Sequence, residues 1–236
     1  KRLGQFQFGH IGQPPLPVFH GHQKGVSARR RQLFYCGAEL RVLPFLRCLR
    51  LLSHPRYAQI LCDALGIWCM IALCGNNPEK GIKYRHTWNI VKIGKTCYHL
   101  DATFDNSLGK CAGNGGEIRY DYFNLDDKAV FRDHEPLIAP APACTDGDHF
   151  YYKEKKLSFT KTEEVYKRSL QTAKKNKTLT FHWRGGYLTR EVLAELCAQI
   201  DAAAQARGRA AAISVNWPQA VLQVRFVDAA QPVETE

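Results

Sequence analysis

The sequence lacks any long apolar run. No stretch of its 236 residues approaches the roughly 20 consecutive apolar residues that a bilayer-spanning helix needs. We therefore predict that the chain has no membrane span. It begins at Lys1 without a charged-then-apolar signal segment, which we interpret as the start of a fragment. The cell compartment and the oligomeric state stay open on this basis.

Metal-binding cysteine patterns are also missing. The chain has nine cysteines but no CxxC pair, no His/Cys cluster at ligand spacing and no acidic calcium loop. We therefore predict no metal and no other cofactor. An odd number of cysteines in a chain of this length does not indicate a disulfide scaffold. Most of them are expected to be small buried apolar residues.

Acidic residues are almost absent from the first 56 positions, where Glu39 stands against ten lysines and arginines. This segment carries a net charge of +9, so the other 180 residues account for +2 of the chain's +11. A phosphate-binding patch would have to lie in this arm alone, and we do not expect nucleic acid to be a partner. Residues 1–38 show no helical or strand period. They are predicted to be either disordered or an out-of-frame translation.

Beyond the arm, we predict two domains, at 39–135 and 149–236, joined by a proline-containing linker at 136–148. The second domain alternates helices and strands, which is typical of a small two-layer α/β unit. Its predicted elements are a strand at 150–153, a helix at 162–174, a strand at 178–183, a helix at 189–206, and strands at 211–215 and 220–227. We expect this domain to bind substrate or a partner.

The first domain combines a helix with a hairpin. Apolar residues at helical spacing predict a helix from Tyr57 to Leu65, and Gly66 is the residue expected to end it. The other predicted elements are a strand at 68–73, paired strands at 86–93 and 96–101 around a Gly94-Lys95 turn, and a short helix capped by Asn124.

The hairpin carries the residues with the clearest chemical potential. His86 begins its first strand and Asp101 ends its second, one step out of register about the turn, an offset that a β-bulge would absorb. A carboxylate bound to one imidazole nitrogen fixes the tautomer, and a thiol is the nucleophile best suited to the other nitrogen. The alternative interpretation is structural, with Trp88 in the core and both Asp101 and Asp105 as turn residues.

Five separated motifs occur in a fixed order along residues 57–135. They are Leu61-Cys62-Asp63-Ala64-Leu65-Gly66-Ile67, His86-Thr87-Trp88-Asn89-x-Val91, Tyr98-His99-Leu100-Asp101-x-Thr103-Phe104-Asp105, Arg119-Tyr120-Asp121-Tyr122-Phe123-Asn124 and Asp133-His134. Together they resemble the bacterial transglutaminase-like domain family. The resemblance implies a papain-like α+β core, in which a helix that opens with the nucleophile packs on an antiparallel sheet. The small α/β domain at 149–236 would follow this core.

The resemblance also implies a Cys–His–Asp triad that transfers an acyl group from a peptide bond or glutamine amide through a thioester. His86 would be the general base and later the acid, and Asp101 would orient it. Trp88 and Asp105 would support the site. The implied substrate is a protein or peptide.

The nucleophile is the part of the family pattern that this sequence does not match. In the family it opens the helix that ends in Leu-Gly-Ile, and counting back from Gly66 places it near Leu51, where there is no cysteine. Cys48 is the nearest candidate. We therefore expect little or no activity from the chain as written, and an out-of-frame arm would explain the missing cysteine. The alternative is a non-catalytic binding or scaffold module on the same fold.

Overall fold

The computed structural model describes residues 54–80, 82, 85–111, 118–137 and 142–229, so Cys48 and the arm at 1–38 lie outside the described residues. The elements, in chain order, are α1 (Pro55–Ala64), β1 (Cys69–Cys74), a 3-10 turn (Pro78–Lys80), β2 (His86–Ile93), β3 (Thr96–Leu100), α2 (Ala102–Cys111), β4 (Phe123–Leu125), α3 (Asp127–Val130), α4 (Tyr151–Glu154), β5 (Ser158–Phe159), α5 (Thr162–Lys174), β6 (Leu179–Trp183), α6 (Arg190–Gln205), β7 (Arg209–Asn216) and β8 (Val221–Asp228).

The described strands form two sheets of four. The first has the order β1-β2-β3-β4 and is antiparallel throughout. The second has the order β5-β6-β8-β7, in which β5 and β6 are parallel and the other neighbours are antiparallel. The predicted mixture of helices and strands is therefore confirmed.

Helix α1 begins at Pro55, slightly before the predicted Tyr57. Pro55 occupies its first turn, where the missing N–H is not needed, and the side chain of His54 caps it by accepting a backbone N–H. Leu51, where counting back placed the family's nucleophile, lies outside the described residues. Ala58 and Cys62 form the buried face, which packs against β1 and β2.

Strands β2 and β3 form the predicted hairpin around Gly94, whose φ of +63° suits glycine. Their ladder runs without interruption from the turn to the pair Asn89 and Leu100. The predicted bulge between these two strands is therefore wrong. His86 lies beyond the end of this ladder and pairs with Cys74 of β1 instead.

Three local predictions need correction. Asn124 does not cap a helix but lies in β4 at φ +59°, and Asp126 caps α3 by accepting the N–H of Ala129 at 2.8 Å. The predicted strand at 150–153 is largely helix α4. Helix α2 was not predicted, because its apolar residues are too few to show a helical period.

The second sheet packs against α5 and α6 in the two-layer arrangement that the sequence predicts. Alternate residues of the central strands β6 and β8 point into one core, as the period of two requires. The two helices contribute their buried faces to the same core. Its fully or nearly buried members are Val165, Ala173, Leu179, Phe181, Trp183, Leu196, Ile200, Ala204, Leu222, Val224 and Phe226.

The described parts of the predicted linker, 136–137 and 142–148, contain no helix or strand, but they pack on the first sheet. Cys144 is fully buried, and its backbone exchanges hydrogen bonds with Asp127. Among the described helices, none has the length and apolar character needed to cross a bilayer.

Candidate active site

The structure brings His86, at the start of β2, into direct contact with Asp101, which directly follows β3. Nε2 of His86 lies 2.5 Å from Oδ2 of Asp101. The chain leaves β3 at Asp101 and turns at once into α2, so the carboxylate sits at the start of that helix. Its other oxygen, Oδ1, accepts the backbone N–H groups of Thr103 and Phe104 at 2.9 and 3.0 Å. Asp101 therefore caps α2 while it binds His86.

A second imidazole shares this carboxylate. Nε2 of His134 lies 3.0 Å from Oδ2 of Asp101, and its Nδ1 lies 2.8 Å from Oδ1 of Asp133. Burial by itself would lower the pKa of His134, but its bonds to the two carboxylates outweigh burial and raise the pKa to about 9. His134 is therefore a buried imidazolium that donates to both carboxylates at neutral pH.

Asp101 is ionised in this setting. Burial would raise the pKa of its carboxyl group, but the hydrogen bonds from His134 and His86 lower it below its usual value. A carboxylate can only accept, so the Nε2 atom of His86 carries the proton of that bond. Neutral His86 therefore has its lone pair on Nδ1.

Nδ1 of His86 makes no hydrogen bond with any described residue. The ring stacks on Phe104 with centroids 4.5 Å apart, and it lies nearly parallel to Trp88 at 6.4 Å. The side chain of His86 is 18% exposed, whereas that of Asp101 is 1% exposed. An imidazole with one nitrogen held by a buried carboxylate and the other open is arranged to act as a general base.

Trp88 is held by a polar chain that sequence reasoning missed. Its Nε1 donates to Nδ1 of His99 at 2.8 Å, and Nε2 of His99 lies 2.7 Å from Oδ1 of Asp127. An indole can only donate, so Nδ1 of His99 accepts and Nε2 donates to Asp127. Burial lowers the pKa of His99, although the bond to Asp127 opposes this. Trp88 thus supports the site through a neutral, buried histidine.

Asp105, predicted to support the site, lies one turn along α2 from Asp101. It is buried and accepts the N–H of Tyr122 at 3.0 Å, which ties α2 to the segment before β4. Burial and the nearby charge of Asp121 raise its pKa well above the usual value. Its role in the described structure is therefore to join two segments behind Asp101.

The N-terminus of α1 lies at the same place. A narrow cleft is lined by residues that include His54, Pro55, Trp88, Asn89 and Asp101. The amide of Asn89 donates to the carbonyl of Pro55 at 3.1 Å, so β2 holds the first turn of the helix beside the hairpin. The helix start, Trp88 and Asp101 therefore line the same narrow cleft.

The described cysteine that lies opposite His86 in the sheet is Cys74, but its thiol is occupied. Its Sγ donates to the carbonyl of Gly75 and accepts the N–H of Glu135, both at 3.1 Å. Burial raises the pKa of Cys74, so its thiolate is disfavoured. Cys74 is therefore not arranged as a nucleophile for His86. Cys48 lies outside the described residues.

Among the described residues, two groups of side chains have metal-ligand-type atoms within 4.8 Å of one another, namely His86, Asp101 and His134, and His99, Asp127 and Cys144. In the first, the 2.5 Å contact of His86 with Asp101 is shorter than the separation of about 3.3 Å between two ligands of one tetrahedral zinc. In the second, the indole proton occupies Nδ1 of His99, which leaves a proton rather than a lone pair on Nε2. Both groups have the geometry of hydrogen-bonded networks.

Sequence reasoning brought His86, Trp88 and Asp101 to attention but assigned no role to His134. The Asp133-His134 pair stood in the quoted motifs, and a His between two acids was the available signal. A scan of the chain against protein-family models gave no match, and a search of the curated proteins gave none either. What this site can do must therefore follow from its own geometry.

Proposed function

We propose that residues 54–137 form a papain-like, transglutaminase-like core, and that His86 and Asp101 are the acid–base half of a thiol acyl-transfer site. The observation that carries the proposal is the 2.5 Å contact between Nε2 of His86 and the buried carboxylate, with Nδ1 of the partly exposed ring unbonded to any described residue. This arrangement prepares one nitrogen to accept a proton while the carboxylate stabilises the imidazolium that results.

The packing of α1 supports the same proposal. A helix packs on an antiparallel sheet, and its N-terminal turn lies in the cleft beside Trp88 and Asp101. A thiol at that turn would gain from the positive end of the helix dipole and from the adjacent imidazole, both of which stabilise a thiolate. The position that the fold offers for the nucleophile is therefore the start of α1.

The residue at that position is His54, the N-cap of α1. We propose that His54 stands where an active relative would carry its cysteine, and that the chain as written holds an incomplete triad. This places the expected nucleophile three residues after Leu51 and six residues after Cys48. Cys48 is then a second candidate only if residues outside the described ranges bring it to the cleft.

With a thiol at the helix start, the chemistry balances as an ordinary acyl transfer. His86 takes the thiol proton on Nδ1, and sulfur attacks the carbonyl carbon of a peptide or glutamine amide. Collapse of the tetrahedral intermediate breaks the C–N bond, and the imidazolium returns its proton to the leaving amine. Water or a second amine then cleaves the thioester and releases the thiol. A protein or peptide substrate fits this reaction.

The test is the variant His54→Cys, followed by alkylation with iodoacetamide at pH 6 and mass spectrometry of each cysteine. We expect the introduced thiol to react at least about tenfold faster than a free thiol, because the imidazole lowers its pKa. His86→Gln and Asp101→Asn in the same background should remove the acceleration. A rate equal to that of a free thiol in all three proteins would overturn the proposal.

The second candidate is a non-catalytic module on the same fold, and the observation that favours it is His54 at the helix start. The His54→Cys variant separates the two, because a working acid–base pair accelerates the introduced thiol and a binding module does not. The unaltered chain tests whether Cys48 replaces the missing thiol. If Cys48 is alkylated at pH 6 and His86→Gln slows that reaction, the chain is an enzyme with an unexpected nucleophile. If no cysteine shows such His86-dependent labelling, the chain as written is non-catalytic.

A further inference from the structure

The turn between β7 and β8 makes polar contacts with helix α3 and with the residues that follow it. Gln219 in this turn is 2% exposed, and its amide donates to Oδ1 of Asp133 and to the carbonyl of Ala129, both at 3.2 Å. The neighbouring carbonyl of Pro218 accepts from Arg132 at 3.2 Å. The turn is therefore fixed to the loop that carries His134.

A second buried cluster fixes the two ends of the turn. Asp121 is fully buried and accepts two bonds from the guanidinium of Arg119, at 2.7 and 3.0 Å. Asn216 at the end of β7 donates to the same carboxylate at 2.9 Å, and so does the hydroxyl of Tyr152. Arg119 also donates to Gln223 of β8 at 3.3 Å. A buried ion pair with donors from β7, from α4 and from the segment before β4 resists disruption, because the loss of any one partner leaves a buried charge less well paired.

The hydrogen bond between Gln219 and Asp133 is the first of a continuous chain of hydrogen bonds that leads to His86. Asp133 accepts from Gln219, from the hydroxyl of Tyr122 and from Nδ1 of His134. Nε2 of His134 then reaches Oδ2 of Asp101, the oxygen that binds His86. Four consecutive hydrogen bonds thus join the second sheet to the candidate base.

We propose that the second sheet, through Gln219 in its β7–β8 turn, positions the His86–Asp101 pair. His134 is the positioning residue that links Asp133, the partner of Gln219, to Asp101. This differs from the expectation that the C-terminal domain binds substrate or a partner. The proposal rests on the proposed function only in taking His86 as the base of the site.

The physical reason is the sharing of one oxygen. Oδ2 of Asp101 accepts from two imidazoles, and the position of His134 is set by Asp133 on its far side. Without that anchor, the His134 ring could turn away, and the carboxylate could rotate to follow it. Second-sphere partners of this kind hold a ligand or base in one tautomer and orientation.

The described groups around the His134 ring are two carboxylates and four aromatic or imidazole rings. Its hydrogen-bond partners are the carboxylates Asp101 and Asp133, and the hydroxyl of Tyr122 donates to Asp133. Its ring neighbours, 4.9 to 5.5 Å away between centroids, are the imidazole of His86 and the rings of Phe104, Trp88 and Tyr122. Burial and, more weakly, the charge of His134 lower the pKa of His99, which lies behind Trp88.

The test is nitrogen-15 NMR of the His86 ring in the full chain, which reports the tautomer and the bonded Nε2 proton without any need for activity. The variants are His134→Gln, which keeps one donor and removes the cation, and Gln219→Met, which keeps volume and removes the amide. Trp217→Ala is the matched control, because Trp217 lies in the same turn but its ring is 46% exposed. We expect a locked Nε2–H tautomer in the wild type and the control, and a mixture of tautomers with a fast-exchanging proton in both variants.

If His86 keeps the wild-type ring shifts in both variants, the proposal is overturned. If either variant fails to fold, titration of the wild type through pH 9 replaces it, because His134 then loses the proton that binds one of its carboxylates. His86 resonances that move together with those of His134 support the proposal, and His86 resonances that stay fixed overturn it. Failure of the introduced thiol at position 54 to react would sink the proposed function and leave this NMR result standing.

Discussion

The indole N–H of Trp88 donates to Nδ1 of His99 at 2.8 Å, and this single bond decides the protonation of a buried histidine beside the candidate site. Because the indole has no lone pair to offer, His99 must be neutral with its proton on Nε2, directed at Asp127. Two residues from different strands thus fix a tautomer that neither could fix alone.

Replacing Trp88 by Phe should therefore cost more than the same change at Trp183. Both side chains are buried, but Nε1 of Trp183 has no hydrogen-bond partner among the described residues. The loss of ring volume is common to both variants, so their difference isolates the hydrogen bond. We expect Trp88→Phe to be less stable by a further 1–2 kcal/mol or so, measured by urea unfolding. Equal losses would show that the Trp88–His99 bond contributes nothing.

Asp101 and Asp105 are one helical turn apart and should respond in opposite ways to removal of their charge. Asp101→Asn leaves the imidazolium of His134 with one carboxylate fewer, and we expect a loss of about 3–5 kcal/mol at pH 7. The pKa of Asp101 is lowered in the folded state, so its contribution is present above the unfolded value and is lost as pH falls through the folded pKa.

Ionisation of Asp105 has the opposite effect on the stability of the native state. Its pKa is raised by burial and by Asp121, so ionising it destabilises the native state as pH rises. Asp105→Asn should therefore gain stability relative to the wild type between about pH 4 and pH 7. Denaturant unfolding of both variants at these two pH values checks the pair, and parallel pH dependence of Asp101→Asn and Asp105→Asn would contradict it.

His134 should make the protein less stable in mildly alkaline solution. Its two carboxylates raise its pKa to about 9 in the folded state, against a usual value of 6.5. The stabilisation is fully present below pH 6.5 and is lost as pH rises through about 9, by up to roughly 3 kcal/mol. Thermal unfolding at half-unit pH steps measures it. His134→Gln should flatten this part of the curve, and an unchanged slope in that variant would assign the effect elsewhere.

Cys74 should be inert although it lies opposite His86 in the sheet. Its thiol is buried, bonded to Gly75 and Glu135, and has a raised pKa. We expect no labelling of Cys74 by a thiol reagent in native buffer, while the half-buried Cys197 reacts. Labelling read by mass spectrometry at pH 8 decides this. Fast labelling of Cys74 in the native protein would make Cys74 the candidate nucleophile. The proposal that position 54 is the nucleophile position would then be wrong.

The sequence by itself determined the elements whose pattern is local. The β2–β3 hairpin follows from two strand-like segments on either side of the Gly94-Lys95 turn, and α5 matches its predicted bounds because its apolar residues recur at the helical period. The closeness of His86 to Asp101 could also be predicted, since a tight turn brings the ends of two adjacent strands together. The capping of α2 by Asp101 left no such pattern, because a cap bonds to backbone rather than to a periodic side-chain face.

Only the tertiary structure decided what surrounds that pair. His134 is 33 positions from Asp101, and Gln219 is 86 positions from Asp133, so no periodicity links them. Their meeting depends on how the second sheet packs behind the first, where buried polar groups must find partners wherever the fold supplies them. The position of the N-terminus of α1 likewise depends on a long-range contact, the hydrogen bond from the Asn89 amide to the carbonyl of Pro55. This bond holds the first turn of α1, and with it His54, beside β2.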